Sequence, residues 1–484
     1  MDLLLSGLQP HELHELPSSS LDGKLLCQSS GRTILAIIPS NASSLCYVAE
    51  MALQQPGQQS LVGERERRAE PRIHKSQMAT SEEDIHAFLE WMKSRGVNFD
   101  NIELKANPEI GGHGVYLKKD CVRDGQVILQ GHFPPHFLSL SALLTSSTLI
   151  EDPNCGPIIK GAKETYGFSF TPSEALGLLL IFEDRAEDSR YAPYLKILPR
   201  TFDTPFFRGV KFEQSDVPGE VWTEWNRRIA DREEFSRKIK TVFPSPPPTS
   251  AEIEWAWHIV NTRSLYVQDL QPLEWFASAG ADEVALAPLI DMLNHSDPNC
   301  MTHYRKTTNT YELVCVKDTI AQDQELLITY GEHEDWKLWM DYGFTLEGNL
   351  LNKVPMSKLL FLNLIEKCGV SIHQSNREII MEESPCESTL YASEVGLSMG
   401  MKYNLRIILE KFPAYYLNGK KWRRQLARDA SPELEAMVQA LGLRVVAHLR
   451  NFIQAKHDKV PEEVRFIWKN RLDIIDAIPN LPAV

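Results

Sequence analysis

Apolar residues spaced three and four apart mark the first compact element. In "EEDIHAFLEWMKSRG", Ile85, Phe88, Leu89 and Met92 share one helical face, with Ser81 ahead of them as a cap and Gly96 behind as a stop. Helical spacing returns in "TPSEALGLLLIFEDRAE", where Pro172 stands at the helix start with Ser173 near the cap, and in the amphipathic "EVWTEWNRRIADREEFSRKIKTVF". "PSPPPTS" from Pro244 breaks the pattern and reads as a hinge, after which Thr249 and Glu252 form a capping box for "AEIEWAWHIVNTRSLYV". From about Met356 onward the spacing is again helical, including "SPELEAMVQALGLRVVAHLRNFIQAKH" and "PEEVRFIWKNRLDIIDAI".

Alternation and turn residues predict strands elsewhere. "VYLKKDCVRDGQVIL" (Val115 to Leu129) and "LVCVKDTIAQDQELLI" (Leu313 to Ile328) share a plan: short strand, Lys-Asp pair, turn, second strand. Two copies are too few for a repeat protein. They fit a compact β domain whose halves are separated by a mainly helical insertion at about 131–280. Residues 1–78 carry Ser/Gln-rich patches and the charged run "GERERRAEPR", and read as a disordered leader with a small ordered patch at Thr33–Ile38. The expected division is therefore a leader over 1–78, a central domain over 79–350 and a separate helical domain over 351–484.

Composition narrows the function classes. The 484 residues exceed one ordinary core, and no apolar run approaches the roughly 18 residues of a membrane span. A formal charge of −14 argues against general affinity for nucleic-acid phosphates and favours basic partners such as lysine-rich tails. Eight scattered cysteines without a CxxC pair fit a reducing compartment, and the N-terminus has neither a basic n-region nor a transit-peptide composition. Cytosol or nucleus is the expected location.

Four stretches carry candidate chemistry. "APLIDMLNHSDPNC" ends an apolar run in Asn294-His295, polar groups whose burial without partners costs roughly 1–3 kcal/mol each, so they bond internally or meet a ligand. "GGHGVYLKKD" places Gly112 and Gly114 around His113 ahead of a strand, where missing Cβ atoms admit close backbone approach. On its own such a glycine pair marks a turn. "VNTRSLY" puts Arg263 near the end of an apolar helix, which taken singly reads as a solvated arginine. "ELLITYGEHEDWKLWMDYGF" runs a buried-type strand into Tyr330-Gly331 and returns to Tyr342-Gly343-Phe344; strand-end tyrosines are ordinarily structural.

In chain order the four stretches resemble the SET-domain protein methyltransferases, in the division typified by the plant Rubisco large-subunit lysine methyltransferase. "YAPYLKILPRTFDTP" is similar to that family's inserted region, and the resemblance covers about 82–350. It implies an α+β fold: a split SET domain of small β-sheets with a knot-like crossing and a helical insertion, followed by an all-α C-terminal substrate-binding domain. It implies S-adenosylmethionine as cofactor, with Gly112, His113, Gly114, Arg263, Asn294 and His295 around it and the Asn294 and His295 polar atoms met by cofactor and nearby backbone. Tyr330 would be catalytic, and Asp291, Tyr342 and Phe344 would lie on the substrate side. The implied reaction is methylation of a lysine nitrogen on a protein substrate, a histone tail or another protein, by a monomer that binds neither nucleic acid nor membrane. The sequence departs from the family pattern at Gly111, where Glu is common, and at His113, where an apolar residue is common.

Four other readings stand beside it. The fold could hold a peptide or partner without transferring methyl groups, or the acceptor could be histidine, as in one branch of the division. His295, Cys300 and His303 have spacing that invites a metal, but no fourth ligand is evident, and none is expected. Cys300 as a nucleophile lacks an activating arrangement.

Overall fold

The computed structural model describes residues 24–29, 32–37, 71–72, 81–97, 99–107, 112–122, 146–267, 274–277, 284–305, 310–317, 319–383, 390–410 and 430–484. Gly111, most of the expected leader and the second strand expected before Leu129 lie outside them. The chain divides into two compact units, Met1–Arg68 with Phe412–Pro432, and Ala69–Lys411 with Glu433–Val484. In the first, strands Lys24–Ser29 and Arg32–Ile37 pair antiparallel, and the second of them overlaps the patch expected at Thr33–Ile38.

The second unit contains the candidate chemistry. Its helix Glu82–Ser94 is capped by Ser81, whose hydroxyl accepts from the Asp84 amide, and it buries Phe88 and Met92. The hairpin Ile102–Asn107 and Gly112–Leu117 follows. The two similar segments then meet each other: Cys121–Val122 pairs antiparallel with Thr319–Ile320, the corresponding positions of the two plans. The internal likeness is thus expressed as a local two-fold arrangement in one small sheet.

Among the described residues, six helices lie between those halves, Ser146–Glu151, Cys155–Tyr166, Pro172–Arg185, Ala192–Ile197, Gly219–Val242 and Ser250–Arg263. Pro172–Arg185 and Ser250–Arg263 are apolar around most of their circumference and lie in the core, as helices without a polar face must. Each starts with a capping box. The cap of the first is Thr171, reciprocally bonded with Glu174, two residues earlier than Ser173; Pro172 at the first helical position fixes that start. The second uses Thr249 and Glu252 as expected.

The helices expected near the C-terminus are present, among them Lys358–Lys367, Met399–Glu410, Pro432–His457 and Glu462–Ala477. This third also holds a three-stranded sheet, Val354–Pro355, Tyr391–Ser393 and Gly396–Leu397, so it is not wholly helical. Strands of two or three residues are too short to show alternation, which is why the sequence pattern misses them. Among the described residues no helix is long and apolar enough to cross a membrane.

Candidate active site

The central feature is a crossing of distant segments. Asn294–His295 runs parallel to Leu327–Ile328, while the Leu326 amide donates to the Val115 carbonyl at 2.7 Å on the other side. Asn299 ties the crossing: its Nδ2 donates to the Glu325 carbonyl and its Oδ1 accepts from the Leu327 amide, both at 2.8 Å. Such short strands have little ladder of their own, so side-chain amides supply the missing hydrogen bonds.

Gly114 permits the close approach. A Cβ there would sit 2.5 Å from Glu325 Oε1 and 2.9 Å from the Tyr116 ring. Glu325 Oε1 in turn accepts from Asn294 Nδ2 at 2.6 Å, and the same Nδ2 donates to the His113 carbonyl at 3.0 Å. Burial pushes the Glu325 carboxyl upward, and the Asn294 bond opposes that shift.

Helix Ser250–Arg263 delivers Arg263 at its last residue. The chain then forms strand Ser264–Tyr266, paired with Val284–Leu286, and reaches a 3-10 turn at Ile290–Met292. Leu289, ahead of that turn, has φ of 78°, a conformation costly for a bulky residue. The turn aims Asp291 inward. Arg263 Nη1 donates to the Asp291 carbonyl at 2.8 Å and lies 3.9 Å from Asp291 Oδ2, so this arginine is engaged and not simply solvated. Asp291 Oδ2 also accepts from the Tyr194 hydroxyl at 2.6 Å. Burial lifts the Asp291 carboxyl to about 6, against the opposing influence of Arg263 and Tyr194.

Tyr330 follows the strand Leu327–Ile328. Its amide donates to His295 Nδ1 at 2.9 Å and its hydroxyl to the Leu293 carbonyl at 2.7 Å. Its ring centroid lies 4.9 Å from that of Tyr342 and 6.4 Å from that of Phe344. Burial raises the Tyr330 phenol well above its ordinary value and pushes Tyr342 to about 12, so both stay protonated at neutral pH. His295 is lowered to about 4 by burial, with His333 adding to the shift, and is neutral. Gly343, at φ of 86°, lets the chain turn against Asp203, whose backbone carbon would stand 2.5 Å from any Cβ.

These groups line one cavity of about 140 Å³. Gly112, His113, Arg263, Asp291, Asn294, Tyr330, Tyr342 and Phe344 all face it. Gly114 and His295 do not line it; they hold its walls, Gly114 by admitting Glu325 and His295 by receiving the Tyr330 amide. The backbone partners expected for Asn294 and His295 are present. Among the described residues of the cavity wall, the buried side-chain atoms without protein partners are instead His113 Nε2 and Asp291 Oδ1, and a polar or charged ligand that engaged them would reduce that cost. A cavity with an arginine, aromatic walls and two such atoms fits a zwitterionic cofactor of the S-adenosylmethionine kind.

Sequence reasoning did not single out Tyr194, Met292, Phe202 or Asp203. The last three line the cavity, and Tyr194 reaches it through Asp291. Tyr194, Phe202 and Asp203 sit in "YAPYLKILPRTFDTP", so the segment was recognisable, but nothing in its spacing says which side chains turn inward. The metal reading finds its groups engaged: His295 Nδ1 receives the Tyr330 amide, and the Cys300 thiol donates to Asn299 Oδ1 at 3.1 Å. The His303 side chain lies outside the described residues; among those described, no group of three His, Cys, Asp or Glu could hold a metal ion.

Several known proteins are similar to this chain. Mouse SET domain-containing protein 4 is 28% identical over 298 residues, covering 59% of this chain and 63% of that protein. Ribosomal lysine N-methyltransferase set11 of Schizosaccharomyces pombe is 25% identical over 282 residues, covering 56% and 63% respectively. Actin-histidine N-methyltransferase of Xenopus tropicalis is 24% identical over 279 residues, covering 55% and 44%. The chain thus spans less than two thirds of the length of each of these relatives. In fold it is similar to the crystal structure of the SET domain of LSMT bound to lysine and AdoHcy, with a TM-score of 0.50, 15% identity, and coverage of 83% of this chain and 91% of that one. The SET domain model matches residues 73–331, more than half of the 484, and takes in the glycine hairpin, Arg263, the Asn294 crossing and Tyr330: the chain belongs to the SET-domain family.

Proposed function

We propose that this cavity transfers a methyl group from S-adenosylmethionine to the side-chain nitrogen of a lysine in a protein substrate. The observation that carries this is the Tyr330 hydroxyl, which donates to the Leu293 carbonyl at the wall of a cavity shared with His113, Arg263 and Asn294. Because its proton is committed to that carbonyl, its lone pairs are left for an electropositive partner. When bound, the cofactor supplies a methyl group activated by a sulfonium. His113, Arg263 and Asn294 would hold it, and the unpartnered His113 Nε2 is the atom most in need of it.

The acceptor must arrive as a neutral amine. For a lysine of ordinary pKa near 10.4 this corresponds to roughly 4–5 kcal/mol at pH 7. Tyr342 and Phe344, with ring centroids 6.1 Å apart, wall the same cavity as Tyr330 and strip water from an entering side chain, which favours the neutral form. Alignment and desolvation, with a fixed phenol oxygen, are what this chain contributes. The acidic chain favours a lysine in a basic segment, such as a histone tail. Cys155, Cys300, Cys315 and Cys368 are buried and form no disulfide, which suits a reducing cytosol or nucleus.

Tyr330→Phe is expected to lower turnover by about 100-fold or more while leaving cofactor affinity within a few fold, measured by labelled methyl transfer and by calorimetry. Wild-type turnover in that variant would remove Tyr330 from the mechanism. Incubation with labelled cofactor and cell lysate, followed by mapping of the labelled residue, distinguishes lysine from histidine. Absence of any saturable heat with S-adenosylmethionine would favour a binding module.

A further inference from the structure

Tyr194 belongs to the helical insertion and lies 97 residues from Asp291, yet its hydroxyl reaches the Asp291 carboxylate. The ring is fully buried, stacked on Trp91 with centroids 6.5 Å apart and packed against Phe88 at 6.2 Å, both from helix Glu82–Ser94. Trp91 is itself fixed, donating to the Arg190 carbonyl at 2.9 Å. A rigid aromatic stack therefore delivers one hydroxyl to one carboxylate oxygen.

That oxygen is Oδ2, which also faces Arg263. The other, Oδ1, makes no hydrogen bond; the whole side chain is 0% exposed, so the carboxylate lies just behind the wall that Asp291 lends to the cavity. A buried carboxylate with one oxygen pinned and the other unpaired, just behind a cavity wall, is a fixed counter-charge for a cation in that cavity, and the proposed chemistry brings in a sulfonium.

We propose that Tyr194 is a positioning residue for methyl transfer: its hydroxyl pins Asp291 Oδ2 and holds the carboxylate ionised, leaving Oδ1 as counter-charge to the cation that enters the cavity. This rests on the function proposed above and names a residue whose influence passes through Asp291. The titratable groups facing Asp291 are Arg263, Tyr194 and Tyr330, and Arg263 in turn acts on His113. Burial raises the carboxyl to about 6, and Arg263 and the Tyr194 hydrogen bond oppose that rise. The Asp291 and Leu289 backbone amides oppose it as well; deleting the hydroxyl removes one of these four influences, so Asp291 takes up its proton at higher pH.

The test is Tyr194→Phe in the full chain, which keeps the ring stack. The acid limb of the kcat/KM profile is expected to move up by roughly one to two pH units, with activity recovering at alkaline pH. In an Asp291→Asn background the same substitution should have no further effect, an outcome that a purely structural Tyr194 would not produce. Thermal unfolding of both variants reads folding separately. If wild-type protein is active and its profile is unmoved by Tyr194→Phe, this inference fails alone. An additive effect in the Asp291→Asn background overturns it equally. If wild-type protein neither binds S-adenosylmethionine nor transfers methyl groups, the functional reading fails and this inference goes with it.

Discussion

Two buried histidines set the acid response of the fold. His258 is 0% exposed; Nδ1 lies 2.9 Å from the Glu254 carbonyl, which can only accept, so Nδ1 carries the proton and Nε2 receives the Thr204 hydroxyl at 2.8 Å. His295 uses Nδ1 as an acceptor for the Tyr330 amide. Burial holds both at about 4, below the ordinary 6.5. Between those values the unfolded chain binds protons that the native chain refuses, so stability falls as pH drops from 6.5 toward 4, by about 2 kcal/mol per histidine at pH 5. Asp291 acts oppositely. Its carboxyl, raised to about 6, takes up a proton earlier in the native state and returns roughly 1 kcal/mol over the same range. The histidines win, and the thermal midpoint is expected to be level from pH 8 to 7 and several degrees lower at pH 5. Glu224 and Glu252, both held at about 2 by arginine partners, add their loss only below about pH 4.5. A midpoint that stays level or climbs between pH 6.5 and 5 would contradict this assignment.

At the scale of elements, the strand Gly112–Leu117 has to lie close to the segment entering Leu327–Ile328, and the lack of a side chain at Gly114 makes the space. Gly114→Ala would push Glu325 Oε1 aside, and with it the partner of Asn294 Nδ2. The expected result is cofactor affinity weakened about tenfold or more, read by calorimetry, with a smaller drop in thermal midpoint, since a charge-assisted hydrogen bond is lost at the cavity wall. Undiminished affinity would mean that Asn294 does not depend on Glu325. The sequence made the long elements legible because they repeat a period: the Ser81 cap, the Thr249 capping box and the apolar helix ending at Arg263 all stand where spacing places them. It did not reveal the pairs Asn294–His295 with Leu327–Ile328, since two residues carry no period. Their residue types were nonetheless informative. An amide and an imidazole closing an apolar run demanded partners, and the structure supplies them from His113, Glu325 and Tyr330.

For the molecule as a whole, the sequence suggests a separable C-terminal domain, whereas the contacts of helix Glu462–Ala477 argue for integration. Asn470 Nδ2 donates to Asp335 Oδ2 at 2.8 Å, joining Asn352 on the same oxygen and Asn349 with the Leu346 amide on the other. Asp335 is 3% exposed and begins the helix Asp335–Tyr342, which ends in the tyrosine of the cavity wall. Trp468 Nε1 also donates to the Asp216 carbonyl, and Arg471 pairs with Glu220, both partners belonging to the inserted region. A buried carboxylate satisfied by neutral donors is sensitive to the loss of any one of them, because the charge stays buried when the donor leaves. Asn470→Ala is therefore expected to cost about 1–3 kcal/mol and to shift the unfolding of the unit Ala69–Lys411 with Glu433–Val484 as a single transition, with tryptophan fluorescence and far-ultraviolet dichroism coinciding. Two separated transitions, only the lower of them moved by Asn470→Ala, would instead mean that the C-terminal helices fold independently and that Tyr342 is held without them.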